Sequence, residues 1–171
     1  MTARLLAALA ALALAGCTPE LPEDVFTVYI EAPVSAPASG QAPVRLVVSG
    51  VQVSVLRIPV VQAEHFLNTE VVEAGDPDIR SAYLLVQTDP KVAQTLLRTT
   101  SLAESMGKKL VLVVNDEAIG LMPLDQPVPD GNLFFAVERG TLGARKAAEY
   151  WSERLNRSIL QFRKWRDKEE K

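Results

Sequence analysis

Few side chains in this 171-residue sequence have the types and spacing that chemistry requires. The one histidine, His65, excludes a multi-histidine metal site. Its neighbours Phe66 and Leu67 favour a partly buried structural imidazole over a catalytic one. The acidic group Glu70, Glu73, Asp76 and Asp78 could offer oxygen ligands to calcium, but it lacks the regular spacing of a calcium loop and reads as a solvated turn. Asp116 and Glu117 read as turn residues first. No Gly-x-Ser-x-Gly elbow, phosphate loop or dinucleotide fingerprint occurs. No cofactor and no metal are therefore expected. The remaining reactive group is the lone thiol of Cys17.

Its surroundings give that thiol a purpose. Arg4 is followed by an apolar run from Leu5 to Ala15, about eleven residues, which fits the hydrophobic region of a secretory signal and is too short to span a bilayer. Leu14-Ala15-Gly16-Cys17 resembles the lipobox of bacterial lipoproteins. That resemblance implies cleavage before Cys17, acylation of its thiol and of the new amine, and export to an oxidising compartment where a free thiol would be a liability. Each buried methylene adds about 0.8 kcal/mol, so several acyl chains would hold the protein at the membrane. In that family an aspartate after the cysteine retains the protein at the inner membrane; Thr18 here favours the periplasmic leaflet of the outer membrane. The expected organisation is a signal peptide over 1–16, a lipidated tether over 17–24 and a single domain over 25–171. No later stretch approaches the roughly eighteen apolar residues of a membrane span.

The elements behind these residues alternate between strand and turn signals. Val25–Glu31 is an alternating β-branched strand, and Pro33–Pro43 has the composition of a loop. Val44–Ile58 predicts a hairpin, with Val44, Leu46 and Val48 alternating, a two-residue Ser49-Gly50 turn, and Val51, Val53 and Val55 alternating again. Gln62–Asn68 reads as one or two helical turns, and Thr69–Glu73 and Ser81–Thr88 as strands. Asp89-Pro90 opens a helix as N-cap and first residue, with Val92, Leu96, Thr99 and Ala103 on one face, Leu97 beside them and Gly107 at its end. Leu110–Val114 is an almost wholly apolar central strand, Ala118–Met122 its hairpin partner, and Asn132–Glu138 a strand after the proline loop Pro123–Asp130. Thr141 caps a last helix striped with Ala144, Ala147, Trp151, Leu155, Ile159, Phe162 and Trp165. The class that follows is α+β, a mainly antiparallel sheet with two main helices packed on one face.

Charge is unevenly placed. Residues 141–171 carry a net charge of +4 and residues 1–140 carry −7. The last helix is thus basic and amphipathic, and Arg154, Arg157, Phe162, Arg163 and Trp165 form a possible interaction surface. Three readings stand side by side: a solvated basic face over a buried stripe, an end that lies on anionic lipid or a protein partner, and nucleic-acid binding, which the expected compartment disfavours.

One ordered series remains. A threonine near the end of the first helix (Thr99 or Thr100) is followed by Gly107-Lys108-Lys109 leading into Leu110–Val114, then Asn115-Asp116-Glu117 and Ala118-Ile119-Gly120. Pro123 and Pro127, Asp130-Gly131, a strand and an alanine-bearing helix complete it. From Pro59 onward this order and spacing resemble the head subdomain of the first periplasmic domain of SecD, an accessory subunit of the protein-export translocon. The resemblance implies a related fold, used as a freestanding periplasmic module without SecD's membrane helices, and an accessory role in envelope protein export or assembly. Fold alone does not carry function. The expected function is a lipid-anchored binding module with an envelope protein partner and no nucleic acid, not an enzyme. The groove beside Pro123–Pro129 is a second candidate surface. An envelope enzyme acting on cell-wall or lipid substrate through a carboxylate pair is the alternative.

Overall fold

A computed structural model describes residues 22–75 and 81–169. The expected signal peptide, Cys17, most of the tether, Asp76 and Asp78 lie outside the described residues. The elements in chain order are β1 (Phe26–Ile30), β2 (Gln41–Leu46), β3 (Gln52–Leu56), β4 (Phe66–Ala74), β5 (Ser81–Thr88), α1 (Pro90–Thr100), β6 (Lys109–Val114), β7 (Glu117–Pro123), β8 (Asn132–Val137) and α2 (Ala144–Glu169). Short 3-10 turns occupy Ala38–Gly40 and Ala63–His65. The order β1-β6-β7-β8-β5-β4 is antiparallel throughout, and β2 adds a two-residue parallel contact to β7. With both helices packed into its core, this curled sheet is the α+β class that the pattern implies.

The curl has a local cause at β7. Val113 pairs with Ala118 and Leu112 with Gly120, so Ile119 is an extra residue on its strand. This bulge bends β7 and lets one edge serve two partners, β2 at Glu117–Ala118 and β8 at Gly120–Leu121. β3 then returns to β1, where the Ala32 N–H donates to the Ser54 carbonyl at 2.8 Å. Five strands close on themselves around Leu46, Val55, Val111, Val113 and Ala118. The opposite face of β6 carries Leu110, Leu112 and Val114 into the larger core, to which α1 contributes Val92 and Leu96 and α2 contributes Trp151, Leu155 and Ile159. The apolar run Leu110–Val114 therefore reflects burial on both faces rather than membrane insertion.

α2 is held by more than apolar area. β4 is the last strand of the sheet order and pairs only with β5 among the described residues. The Asn156 side chain accepts from the Thr69 N–H at 2.9 Å and donates to the Thr69 carbonyl at 2.8 Å, as a neighbouring strand would. Ser152 Oγ also donates to that carbonyl, and Arg163 donates to the Leu67 carbonyl. Polar groups of α2 thus cover part of an edge that would otherwise invite pairing with another chain.

Several boundaries differ from the sequence expectation. The β2–β3 turn spans more than Ser49-Gly50, so Val48 and Val51 leave the alternation and are exposed. β2 starts at Gln41 and includes Pro43, whose missing N–H is tolerated because most of β2 is paired on one side only. β4 begins at Phe66, replacing the helical turns expected through Asn68. α1 stops at Thr100 and leaves Ala103 outside it. The Thr100 and Ser101 hydroxyls donate back to the carbonyls of Leu96 and Leu97, and turns carry the chain on to Gly107. α2 begins at Ala144, so Thr141 lies in the preceding turn.

Candidate functional site

The proline loop is a built feature. Leu124 and Val128 are buried, while Pro123, Asp125, Gln126, Pro127 and Pro129 are exposed. Leu124 is fixed at both backbone groups, its N–H donating to the Lys108 carbonyl at 2.8 Å and its carbonyl accepting from the Gly107 N–H at 3.0 Å. The Val128 N–H donates to Thr100 Oγ1 at 2.9 Å. Of the two threonines singled out in the sequence, Thr100 is the wholly buried one, and it ties the loop to α1. Gly131 closes the loop at φ +73°, where an added Cβ would collide with Thr88 Oγ1 and lie 2.9 Å from the Ala93 Cβ.

Between this loop and the strand ends lies a groove of about 350 Å³, walled by Met122, Pro127, Pro129, Asp130, Asn132 and Phe134. β7 and β8 pair only at Gly120–Leu121, and beyond that they diverge. The edge of β8 facing β7 is consequently open. The Phe134 N–H reaches only the Met122 thioether, a weak acceptor, at 3.2 Å from Sδ. Phe134 is 42 % exposed, on the outer face of the sheet. Asp130 is occupied locally, accepting from the Asn132 N–H at 3.0 Å and from its side-chain amide at 2.8 Å. Exposed prolines, an aromatic ring and an open backbone edge suit recognition of an extended polypeptide.

The five residues expected on the basic helix surface take separate roles. Arg154 makes a bidentate ion pair with Asp24, Nε to Oδ2 at 2.6 Å and Nη2 to Oδ1 at 2.7 Å. It also donates to the Tyr150 hydroxyl at 3.0 Å and lies over the Trp151 ring at 5.3 Å. The Asp24 carboxylate holds the Arg154 guanidinium pKa above its ordinary value. Phe162 is half-buried, edge-on to Phe26 at 6.2 Å. Arg163 caps the β4 edge at Leu67. Arg157 and Trp165 face outward.

Asp24, placed in the tether from sequence, is 1 % exposed and also accepts from the Asn115 side-chain amide at 2.8 Å. Its role depends on partners 91 and 130 positions away, and no local pattern signals that. His65 Nδ1 lies 2.8 Å from Asp89 Oδ2. Asp89 caps α1 by accepting from the Val92 N–H at 2.9 Å. Burial alone would raise the Asp89 carboxyl pKa, but the Val92 N–H and the His65 imidazole outweigh it and hold the group below its usual range. Glu70 accepts from Asn68 and Glu73 pairs with Arg145, each at 2.8 Å. Among the described residues no three metal-ligating side chains converge, and no helix is long and apolar enough to cross a membrane.

No family model matches the chain, and no curated protein matches it. Two solved structures of SecDF are similar to it. One, described as a membrane component that enhances protein export, aligns with a TM-score of 0.49 at 11 % identity, covering 95 % of this chain and 69 % of that one. The other, SecDF in a super-membrane-facing form, aligns with a TM-score of 0.43 at 13 % identity, covering 90 % of this chain and 32 % of that one.

Proposed function

We propose that the protein is a lipid-anchored periplasmic interaction module that holds extended segments of envelope proteins. The observation that carries this reading is the open β8 edge at Phe134, beside an exposed aromatic ring and a proline-walled groove. An incoming strand would offer a carbonyl to the Phe134 N–H in place of sulfur and seat an apolar side chain against Phe134 and Met122. The Cys17 anchor, from its lipobox-like surroundings, would keep the module in the envelope, at the outer membrane in preference to the inner. An accessory role in protein export or assembly is the concrete form, in keeping with the SecD-like series from Thr100 to Gly131.

The test is a photocrosslinking amino acid at position 134 in intact cells, with one at the fully exposed Val34 as control. Enrichment of one or a few envelope proteins at 134 over 34 supports the module. Equal, diffuse capture at both positions refutes it.

A further inference from the structure

The described chain begins beside one face of α2. The Glu23 N–H donates to the Gln161 side chain at 3.2 Å, and Asp24 is clamped by Arg154. Tyr150, Arg154, Arg157, Gln161, Lys164 and Trp165 follow at helical spacings of four, seven, eleven, fourteen and fifteen from the first, so they form one stripe along the helix. Arg157 and Lys164 are exposed, as are half of Tyr150 and 37 % of Trp165. The stripe runs about 22 Å at the rise of a helix. Glu153 borders it, and Arg154 is already neutralised by Asp24.

We infer that this stripe docks on an anionic phospholipid surface and so fixes the orientation of the domain. The inference rests on the lipid anchor at Cys17. Asp24 lies seven positions after Cys17, and at full extension those seven steps reach about 25 Å. An acylated Cys17 in the bilayer interface therefore holds the stripe within one helix length of the headgroups. Tethering at that range gives an effective concentration in the millimolar range, so a weak attraction suffices. Its chemistry is complementary to such a surface: exposed cations for the phosphates, and tyrosine and tryptophan rings for the interface. β7 starts next to the Asn115-Asp116 turn, which contacts Asp24, and runs about 20 Å to Pro123. The proline-loop groove thus opens at the far end of β7 from the tether root.

The experiment uses the full-length protein purified from membranes, with the mass of its Cys17 peptide read first. It is reconstituted in vesicles of phosphatidylcholine and phosphatidylglycerol, roughly three to one, or of phosphatidylcholine alone, each with brominated acyl chains. Subtracting the emission of the Trp165→Phe variant isolates Trp165 from the core Trp151. Docking predicts that Trp165 emission falls about twofold in the anionic vesicles relative to the neutral ones. The Arg157→Glu, Lys164→Glu double variant, still acylated and folded by circular dichroism, abolishes that fall. Equal emission in both lipids, or an unchanged fall in the double variant, overturns the docking. A photocrosslinker at position 164 that captures a protein instead of phospholipid overturns it too. Acylated Cys17 with unquenched Trp165 leaves the anchor standing and removes only the docking. An unmodified Cys17 removes both.

Discussion

Arg154→Ala should destabilise the domain more than Asp24→Ala, although both delete the same ion pair. Asp24 is 1 % exposed and the Arg154 side chain 32 % exposed. Removing the arginine strands a carboxylate inside the protein with Asn115 as its remaining side-chain donor. Breaking a buried pair in this way costs about 3–5 kcal/mol. The Asn115 amide and the partial exposure of the arginine place this case at the lower end, about 3 kcal/mol. Removing the aspartate instead leaves a guanidinium that turns to water and keeps the Tyr150 hydroxyl, a loss of about 1–2 kcal/mol. The double variant loses the orphaned carboxylate as well, and should be more stable than Arg154→Ala alone. For a domain of this size, 3 kcal/mol corresponds to a fall in Tm of about 6–12 °C. Urea denaturation of the three variants, followed by circular dichroism, measures the cycle. If Asp24→Ala costs as much as Arg154→Ala, or the double variant falls at the sum of the two, then Asp24 is not a desolvated partner and the reasoning fails.

Two further predictions concern α1 and the loop beside it. Asp89→Ala should cost about 1 kcal/mol at neutral pH by removing the cap on Val92. Because the folded carboxyl titrates below its ordinary value, the stability it contributes is present above about pH 4 and is lost as pH falls through the lowered value. The gap between the variant and the wild type should therefore narrow in acid; a gap that widens below pH 4 would show the opposite linkage. Gly131→Ala should destabilise by about 2–4 kcal/mol, since a Cβ at φ +73° meets Thr88 and Ala93 where neither can retreat cheaply. An unchanged urea midpoint would mean that the loop relaxes freely.

The sequence disclosed those elements whose signals are local. Asp89-Pro90 is a cap wherever it occurs in such a context, and the stripe Ala147, Trp151, Leu155 and Ile159 has one periodicity to obey. The Leu110–Val114 run could be read as a central strand because neither of its faces is polar. What stayed hidden depends on partners distant in the chain. The closure of β1, β6, β7, β2 and β3 turns on one bulge residue, Ile119, which looks ordinary among its neighbours. The valines around Ser49-Gly50 suggested two longer alternating strands, but Glu138 takes the N–H groups of Val48 and Ser49 and holds the tip as a wide turn. The groove could be placed from its prolines, whereas the open Phe134 edge required knowing where β7 and β8 part. Arg154 and Trp165 look alike in the sequence as members of a basic aromatic cluster; Asp24 separates them, and it sits 130 positions from the arginine it binds.

Burial of β6 on both faces leaves that strand without an internal ruler. In most strands a one-residue slip drives polar side chains inward, and that penalty enforces alignment. Here a slip would exchange one set of valines and leucines for another along most of the strand, bringing a polar residue, Lys109 or Asn115, inward only at one end. Alignment has to come from the strand's end. Asn115 and Asp116 turn the chain with φ of 47° and 70°, a conformation that the two residue types tolerate. The Asn115 side chain meanwhile accepts from the Val25 N–H at 2.9 Å and donates to Asp24. One asparagine thus indexes β6 against both β7 and β1. The alignment of the most apolar strand in the molecule is therefore fixed at a solvent-exposed polar corner.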